Sequence, residues 1–445
     1  MPRISSRIAV LFVAVVGLLG TTVRPADAQP DPRVPTEETV APASPPAVGV
    51  RSFRAADSVR TVRLREALRL FRANNLSLRK AQSEARSIRG EARQAGAYPN
   101  PTLQATHEPL WRGAESQSET YLNVRQQIEW SGRSARIRSA RERAAAAQAR
   151  AAADSARLAL QVTEAYVEAA TAETRLQRLR RVTRVFRQAD SSMARRRREG
   201  DASGYAARRI QLERARYEQR LAAARLEVRN AREQLALLVL PEGTPSVAAK
   251  SLPTTIPPSI SEQKALRTAL RQRPELRRWQ SAIEAQQAAR RAARQEVWPD
   301  PSVTAGYKRQ SNGAKGAFLG VGIPLPLFDR NRGAADAEAE RLDAAQTQQI
   351  LARREIRNEV RRAHAAYTSA RRQSQLLGED LLRGTGDLLR IAQASYGEGE
   401  MSLVELLDAA DAYRDARLRS VDLRADLWTR YFSLLRTMGQ PLDLP

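Results

Sequence analysis

Between residues 132 and 199 no proline interrupts a helical apolar pattern, and the same holds between 331 and 398. Each run predicts a helix of nearly 70 residues, roughly 100 Å long at about 1.5 Å of rise per residue. Rods of that length do not fit inside an ordinary globule. Each half of the chain also carries two shorter helical patterns of about 36 residues, 62–97 with 203–239 and 262–298 with 402–438. Laid end to end, each short pair matches one long helix. A long helix flanked by two stacked short ones lets every apolar stripe find a partner along its whole length, which predicts the wall of a cylinder rather than a core.

The halves share more than helix lengths. Tyr98-Pro99-Asn100-Pro101 recurs as Trp298-Pro299-Asp300-Pro301, about 200 residues later and in the same surroundings. Ala67-Leu68 and Asn75-Leu76-Ser77-Leu78-Arg79 precede the first copy; Ala265-Leu266 and Pro274-Glu275-Leu276-Arg277 precede the second. In each motif the prolines stop a helix, because proline neither donates to the helical ladder nor lets its predecessor stay helical. The order helix, strand, strand, helix, helix is therefore expected twice.

Two strands are predicted after the first motif, at 102–108 and 119–130. The second alternates Leu122, Val124, Ile128 and Trp130 on one face with Tyr121, Asn123, Arg125 and Gln127 on the other. After the second motif come Val303, Ala305 and Tyr307, then Ala317, Leu319, Val321, Ile323 and Leu325. Such alternation suits a lipid-facing outside over a wet inside. It equally suits a small soluble sheet with one buried face.

At the amino end, Arg3 and Arg7 precede an apolar run from Ile8 to Leu19, and Ala26-Asp27-Ala28 follows. This is the pattern of a secretory signal over 1–28, cleaved after Ala28. Residues 29–61 read as an extended Pro-rich arm and 62–240 as the first repeat. A linker at 241–261, with Pro241, Pro245, Pro253, Pro257 and Pro258, is expected to lie against the outside of the rod. The second repeat follows at 262–440 and a short tail at 441–445. No stretch after the signal is apolar enough for a transmembrane helix, so an exported chain of this kind enters a membrane only as a closed barrel.

The formal net charge is +25. The cations are nearly all Arg, interleaved with Glu and Asp at three- and four-residue spacings, which reads as ion-paired helix faces rather than a nucleic-acid footprint. There is no Cys, and only His107 and His364 supply imidazole. Disulfides, Cys lipidation, a dedicated metal site and His-centred catalysis are all poorly supplied, so neither an enzyme nor a cofactor is expected.

Taken together and in order, these motifs resemble the TolC family of outer-membrane efflux ducts over nearly the whole chain from Leu64 to Met438. The run Gly322-Ile323-Pro324-Leu325-Pro326-Leu327-Phe328-Asp329-Arg330-Asn331-Arg332-Gly333 is similar to its heavy-metal, CzcC-like branch. The resemblance implies a mainly α chain with a membrane β-barrel. Three copies would each give four strands to one twelve-stranded barrel in the outer membrane, continued by a trimeric α-helical periplasmic tunnel. It further implies a periplasmic adaptor, an inner-membrane RND pump and outer-membrane lipid as partners. Pro99, Pro101, Pro299, Pro301, Pro324 and Pro326 would mark helix-to-barrel junctions.

Two turns join a long helix to a short one, around Gly200 and Ser203 and around Gly399 and Ser402. Gly suits the helix-ending conformation and Ser caps the next helix, giving tight hairpins. By resemblance these are the periplasmic tips that meet the adaptor. After Gly399, Leu403, Leu406, Leu407, Ala410 and Tyr413 share one face, with Glu405 and Asp408 opposite, joined by Asp411, Asp415, Asp422 and Asp426 and interrupted by Arg419. The family places acids at the positions of Glu405 and Asp408 where the tunnel narrows, so a cation-selecting gate is expected there. The competing reading is a solvated face paired with Arg from neighbouring helices. The first tip departs from the pattern with Ala206 at the position that corresponds to Glu405, and Met401 stands where some relatives carry a basic latch residue, which puts an interchain ion-pair lock in doubt. A metal-cation duct is the favoured reading. A multidrug or secretion duct and an exported coiled-coil rod are the alternatives.

Overall fold

The computed structural model describes residues 60–112, 115–199, 203–241, 246–376 and 379–442. The expected signal, Gly200 and all but the ends of the N-terminal arm and C-terminal tail lie outside them. The elements in order are β1 (Arg60–Val62), α1 (Leu64–Asn74), α2 (Leu76–Gln94), β2 (Thr102–Arg112), β3 (Glu115–Gln127), α3 (Arg133–Glu199), α4 (Gly204–Val239) and β4 (Val247–Ala249). They continue with α5 (Glu262–Gln272), α6 (Pro274–Gln295), β5 (Ser302–Gln310), β6 (Lys315–Gly322), α7 (Arg332–Leu376), α8 (Glu379–Glu398) and α9 (Leu403–Thr437).

The first rod is as read: α3 runs 67 residues without a break. The second is described as α7 and α8, with residues 377–378 between them outside the described set. The short helices at 62–97 and 262–298 differ from expectation, because each is cut in two by a residue in extended conformation. Asn75 (ψ 119) separates α1 from α2, and Arg273 (ψ 122) separates α5 from α6. Pro274 takes the first position of α6, where its fixed φ suits a helix start and disfavours helical backbone at Arg273.

These breaks receive the ends of the other short helices. Asn74 Nδ2 donates to Val239 O and Asn75 Nδ2 to Leu238 O, both at 3.0 Å, at the end of α4. Arg273 donates to Thr437 O at the end of α9. Carbonyls that a helix end leaves unpaired are thus met by side chains from the adjoining element.

The helices pack as a wall. The pair α2 and α4 lies on α3, α3 on α6 and α9, and these on α7 and α8. The apolar core runs through the middle of that wall around Phe71, Tyr166, Leu235, Trp428 and Phe432. The expected linker lies along it, with a strand that the sequence did not predict. The Pro-rich 241–261 segment supplies β4, which pairs in parallel with β1, and two long-helix tyrosines tie the segment down. Tyr166 Oη lies 3.0 Å from Lys250 O, and Tyr367 Oη lies 2.8 Å from Pro258 O and 3.0 Å from Pro257 O. Burial pushes both phenols up to about 12, so they remain donors. Tyr367→Phe is expected to cost about 1 kcal/mol, the net worth of one such bond, read as a lower denaturant midpoint with unchanged m-value.

The four long strands form one antiparallel sheet in the order β2-β3-β5-β6. The β2-β3 hairpin reaches further than expected at its far end, and β3 ends at Gln127, before Ile128 and Trp130. Register sorts the faces. Leu103, Val124, Ala305 and Leu319 stand in one row across the sheet, and Ala105, Leu122, Tyr307 and Ala317 in the next on the same side. The opposite face carries Glu119, Tyr121, Lys308 and Gln310, with Lys308 Nζ 2.8 Å from Glu119 Oε2.

Where helices meet sheet, the duplicated motif works as a clasp. Gln126 Nε2 donates to Pro99 O, Trp130 Nε1 to Pro299 O and Ile128 N to Pro301 O, while Asp300 Oδ1 accepts from the amides of Trp130 and Ser131. Gly132, with φ 65, turns the chain into α3 close against Ala292 O. Asn331, at φ 53, makes the matching turn before α7, its Nδ2 on Ala293 O. Pro324 and Pro326 lie in the exposed segment between β6 and that turn.

Candidate functional site

The hairpin ends farthest from the sheet carry Ser203, Gly399, Ser402, Glu405 and Asp408 of the residues singled out from the sequence. At the second tip, Gly399 has φ 87, the left-handed conformation that glycine adopts without strain, and Glu400 N returns to Ser395 O at 2.9 Å. Ser402 then caps α9 through a full capping box. Its hydroxyl accepts from Glu405 N, and Glu405 Oε2 accepts from Ser402 N at 2.8 Å. Bonds from Ser402 hold the Glu405 carboxyl below the usual range. At the first tip Ser203 accepts from Ala206 N at 3.1 Å, a cap without a box, because alanine stands where the glutamate would close it.

Arg196, near the end of α3, fastens the two tips to each other. Its guanidinium donates to Tyr396 O at 3.0 Å and Gly397 O at 2.9 Å and stacks over the Tyr396 ring. A cation on terminal carbonyls satisfies them and suits the helix dipole. Beneath lies a small core of Met193, Ile210, Tyr396 and Leu406, with Met401 packed against its edge. The tips differ in charge: Arg195, Arg197, Arg198 and Arg208 are exposed on the first, and Glu398, Glu400, Glu405 and Asp408 on the second.

Leu406, Leu407, Ala410 and Tyr413 are buried as the helical wheel predicts, and Glu405 and Asp408 are exposed opposite them. The four acids further along do not continue a free acidic line. Asp411 is held by Arg414 and by the Tyr217 hydroxyl, and Asp415 by Arg414 at 2.8 Å. Asp422 pairs with Arg175 at 2.7 Å, and Asp426 with Arg430 at 3.0 Å. Arg offsets all four, but only for Asp422 does it come from a neighbouring helix, as the competing reading has it; Arg414 and Arg430 belong to α9 itself. Among the described residues Asp408 has neither an ion-pair partner nor a hydrogen-bond partner, and Glu405 bonds only to its own cap.

The Tyr217 cluster was not read from the sequence. Tyr217 stacks on Phe186, ring centroids 4.3 Å apart, and burial followed by the bond to Asp411 pushes its hydroxyl well up. The Asp415 bond raises Arg414, which in return lowers Asp415. Arg175 bridges three helices, with Glu227 of α4 at 2.6 Å and Asp422 of α9. Arg414 three residues after Asp411 was a visible signal; the partner helices were not.

Among the described residues no helix is long and apolar enough to cross a membrane, and no group of three or more His, Asp or Glu is placed to hold a metal ion. The profile of the family described as "Outer membrane efflux protein" matches residues 265–440. The chain is 30% identical over 413 residues to Protein CyaE of Bordetella pertussis, covering 86% of this chain and 85% of that one. It is 26% identical over 382 residues to the cobalt-zinc-cadmium resistance protein CzcC of Cupriavidus metallidurans, covering 85% and 90%. Its fold is similar to that of CusC (TM-score 0.69, 22% identity, 85% of this chain and 92% of that). It is also similar to the Campylobacter jejuni CmeC outer membrane channel (TM-score 0.70, 17% identity, 84% and 85%). With a helical wall, a four-stranded sheet and these relatives, the chain belongs to the outer membrane efflux protein family, the TolC-type channels built from a helical tunnel and a β-barrel, which are not enzymes.

Proposed function

We propose that this chain is the outer-membrane duct of a tripartite efflux system, a homotrimer conducting metal cations passively from an inner-membrane RND pump and periplasmic adaptor to the exterior. Two repeats, 62–240 and 262–440, would build each third of the tunnel, and residues 1–28 would direct export without lipidation.

The observation that carries the reading is the sheet. Its apolar face is exposed in one chain, with Leu103, Leu319 and Val321 each more than half accessible. Its edges, β2 and β6, are free to pair. Open edges do not exist in hydrocarbon, so membrane insertion requires β6 of one copy to meet β2 of the next. Three copies of four strands would close a twelve-stranded barrel. The wall order also leaves α2 with α4 at one side and α7 with α8 at the other, a pairing that closes in the same sense. Tyr98, Trp130 and Trp298 crowd the sheet's base, where an aromatic girdle belongs.

The metal reading rests on the name of the cobalt-zinc-cadmium relative and on the exposed acids of the second tip. With no Cys, four Met and two His, the duct offers charge rather than coordination. Choice among metals would sit in the pump.

Purified protein in planar bilayers is expected to give discrete channels whose reversal potential in a salt gradient favours cations. Heat-modifiable trimers in the outer-membrane fraction are expected beside it. Monomers without conductance would overturn the duct, and a strain lacking the chain that keeps its tolerance to cobalt, zinc and cadmium would overturn the metal substrate.

A further inference from the structure

The outward face of the sheet is apolar up to one level and then abruptly basic. Register places His107, Thr120, Arg309 and Lys315 in a single row across β2, β3, β5 and β6, directly beyond the row of Ala105, Leu122, Tyr307 and Ala317. All four are exposed, and His107 Nδ1 is 2.9 Å from Thr120 Oγ1. The acids of the strands, Glu108, Glu115 and Glu119, have the opposite parity by register, and on that other face Glu119 neutralises Lys308. Arg309 and Lys315 have no carboxylate partner among the described residues. They stand directly opposite each other, an arrangement that is repulsive unless an anion lies between them.

The level of this row is informative. From Gln127, the last residue of β3, to Thr120 is seven residues, about 24 Å of strand, or about 17 Å along the membrane normal at a 45° tilt. Such barrels carry an apolar band about 25 Å high, so the row stands in its upper part. The cations therefore sit toward the far boundary of the hydrocarbon, where a charged lipid-facing side chain costs less than at the midplane and its long stem can lift the head into the polar layer.

Resting on the barrel reading above, we propose that His107, Thr120, Arg309 and Lys315 bind the phosphate groups of anionic lipids in the outer leaflet, so that each copy holds such headgroups against the barrel wall. Arg309 offers a planar fork to two phosphate oxygens, Lys315 a mobile point charge and Thr120 a hydroxyl. The pair gains the counter-charge that its own sheet withholds.

The test uses the full-length protein in neutral detergent, titrated with a diphosphorylated lipid A, its dephosphorylated form and inorganic phosphate. Binding of the phosphorylated lipid alone is expected. Arg309→Gln/Lys315→Gln is expected to weaken it at least about tenfold, the equivalent of about 1.4 kcal/mol. Arg309→Lys/Lys315→Arg should retain binding, and Lys308→Gln, on the other face, should leave it unchanged. Equal affinity for the dephosphorylated lipid, equal affinity for free phosphate, or an unaffected double Gln variant would overturn the proposal. Conductance of the same samples separates the failures: channels without phosphate-dependent lipid binding remove the row alone, whereas bound lipid without channels removes the duct.

Discussion

Arg273→Ala is expected to destabilise the helical wall by about 3 kcal/mol, the lower end of the cost of breaking a buried ion pair. The Arg273 side chain is 5% exposed and holds Glu275 at 2.6 Å and Glu359 at 2.7 Å while reaching the last carbonyl of α9. Alanine would strand two half-buried carboxylates and an unpaired carbonyl. The lower end applies because Arg436 also touches Glu359 and lies 3.9 Å from Glu275, so counter-charge remains nearby. Asn75→Ala, at the corresponding break, removes neutral bonds only and should cost about 1 kcal/mol. Denaturant midpoints of the detergent-solubilised protein compare the two. A pH series adds a second check. Burial alone would raise Glu275, yet the Arg273 bond and charge hold it below its ordinary value. A depressed acid contributes stability above its unfolded pKa of about 4.3 and loses it as pH falls through the folded value. The wild type should therefore lose stability below about pH 4 more steeply than Arg273→Ala. Equal midpoints and parallel pH curves would mean that the cluster is incidental.

What could be read beforehand follows from the range of the interactions. The rods and strands are local facts: α3 needs only a helical period and no proline, and the outward rows of β3 and β6 need only alternation. The breaks at Asn75 and Arg273 were visible in principle, one as a capping Asn and the other as the residue before Pro274, but each lies inside an apolar period that reads continuously. The three-residue strands β1 and β4 carry too little pattern to detect, and their pairing joins segments nearly 190 residues apart. The acidic stripe shows the limit most clearly. A helical wheel put Asp422 in line with Glu405, but it could not show that Arg175 of another helix would neutralise it.

That difference along one stripe makes the tip testable. Glu405→Gln/Asp408→Asn is expected to lower the cation-to-anion permeability ratio roughly tenfold, the low end of what charge focusing in a cleft supplies. If three copies close the tip, these are the acids of the α9 stripe that no arginine offsets among the described residues. Asp411→Asn/Asp415→Asn removes as much formal charge from carboxylates already held by Arg414, so it should leave selectivity nearly unchanged. Amides are preferable to alanines because Glu405 also closes the capping box of α9; Gln can still reach the Ser402 amide, whereas alanine would fray the tip and confound charge with shape. Acid should act in the same direction as the amides. Ser402 holds Glu405 below the usual carboxylate range, so its share of the selectivity should survive to lower pH than an ordinary glutamate would allow, then vanish as that carboxyl protonates. Reversal potentials in a salt gradient, taken on all three proteins from neutral pH downward, decide the matter. Equal losses from the two double variants would put the filter in the whole stripe. No loss from either would move cation selection away from the tip, toward the acids that line the inner face of the sheet.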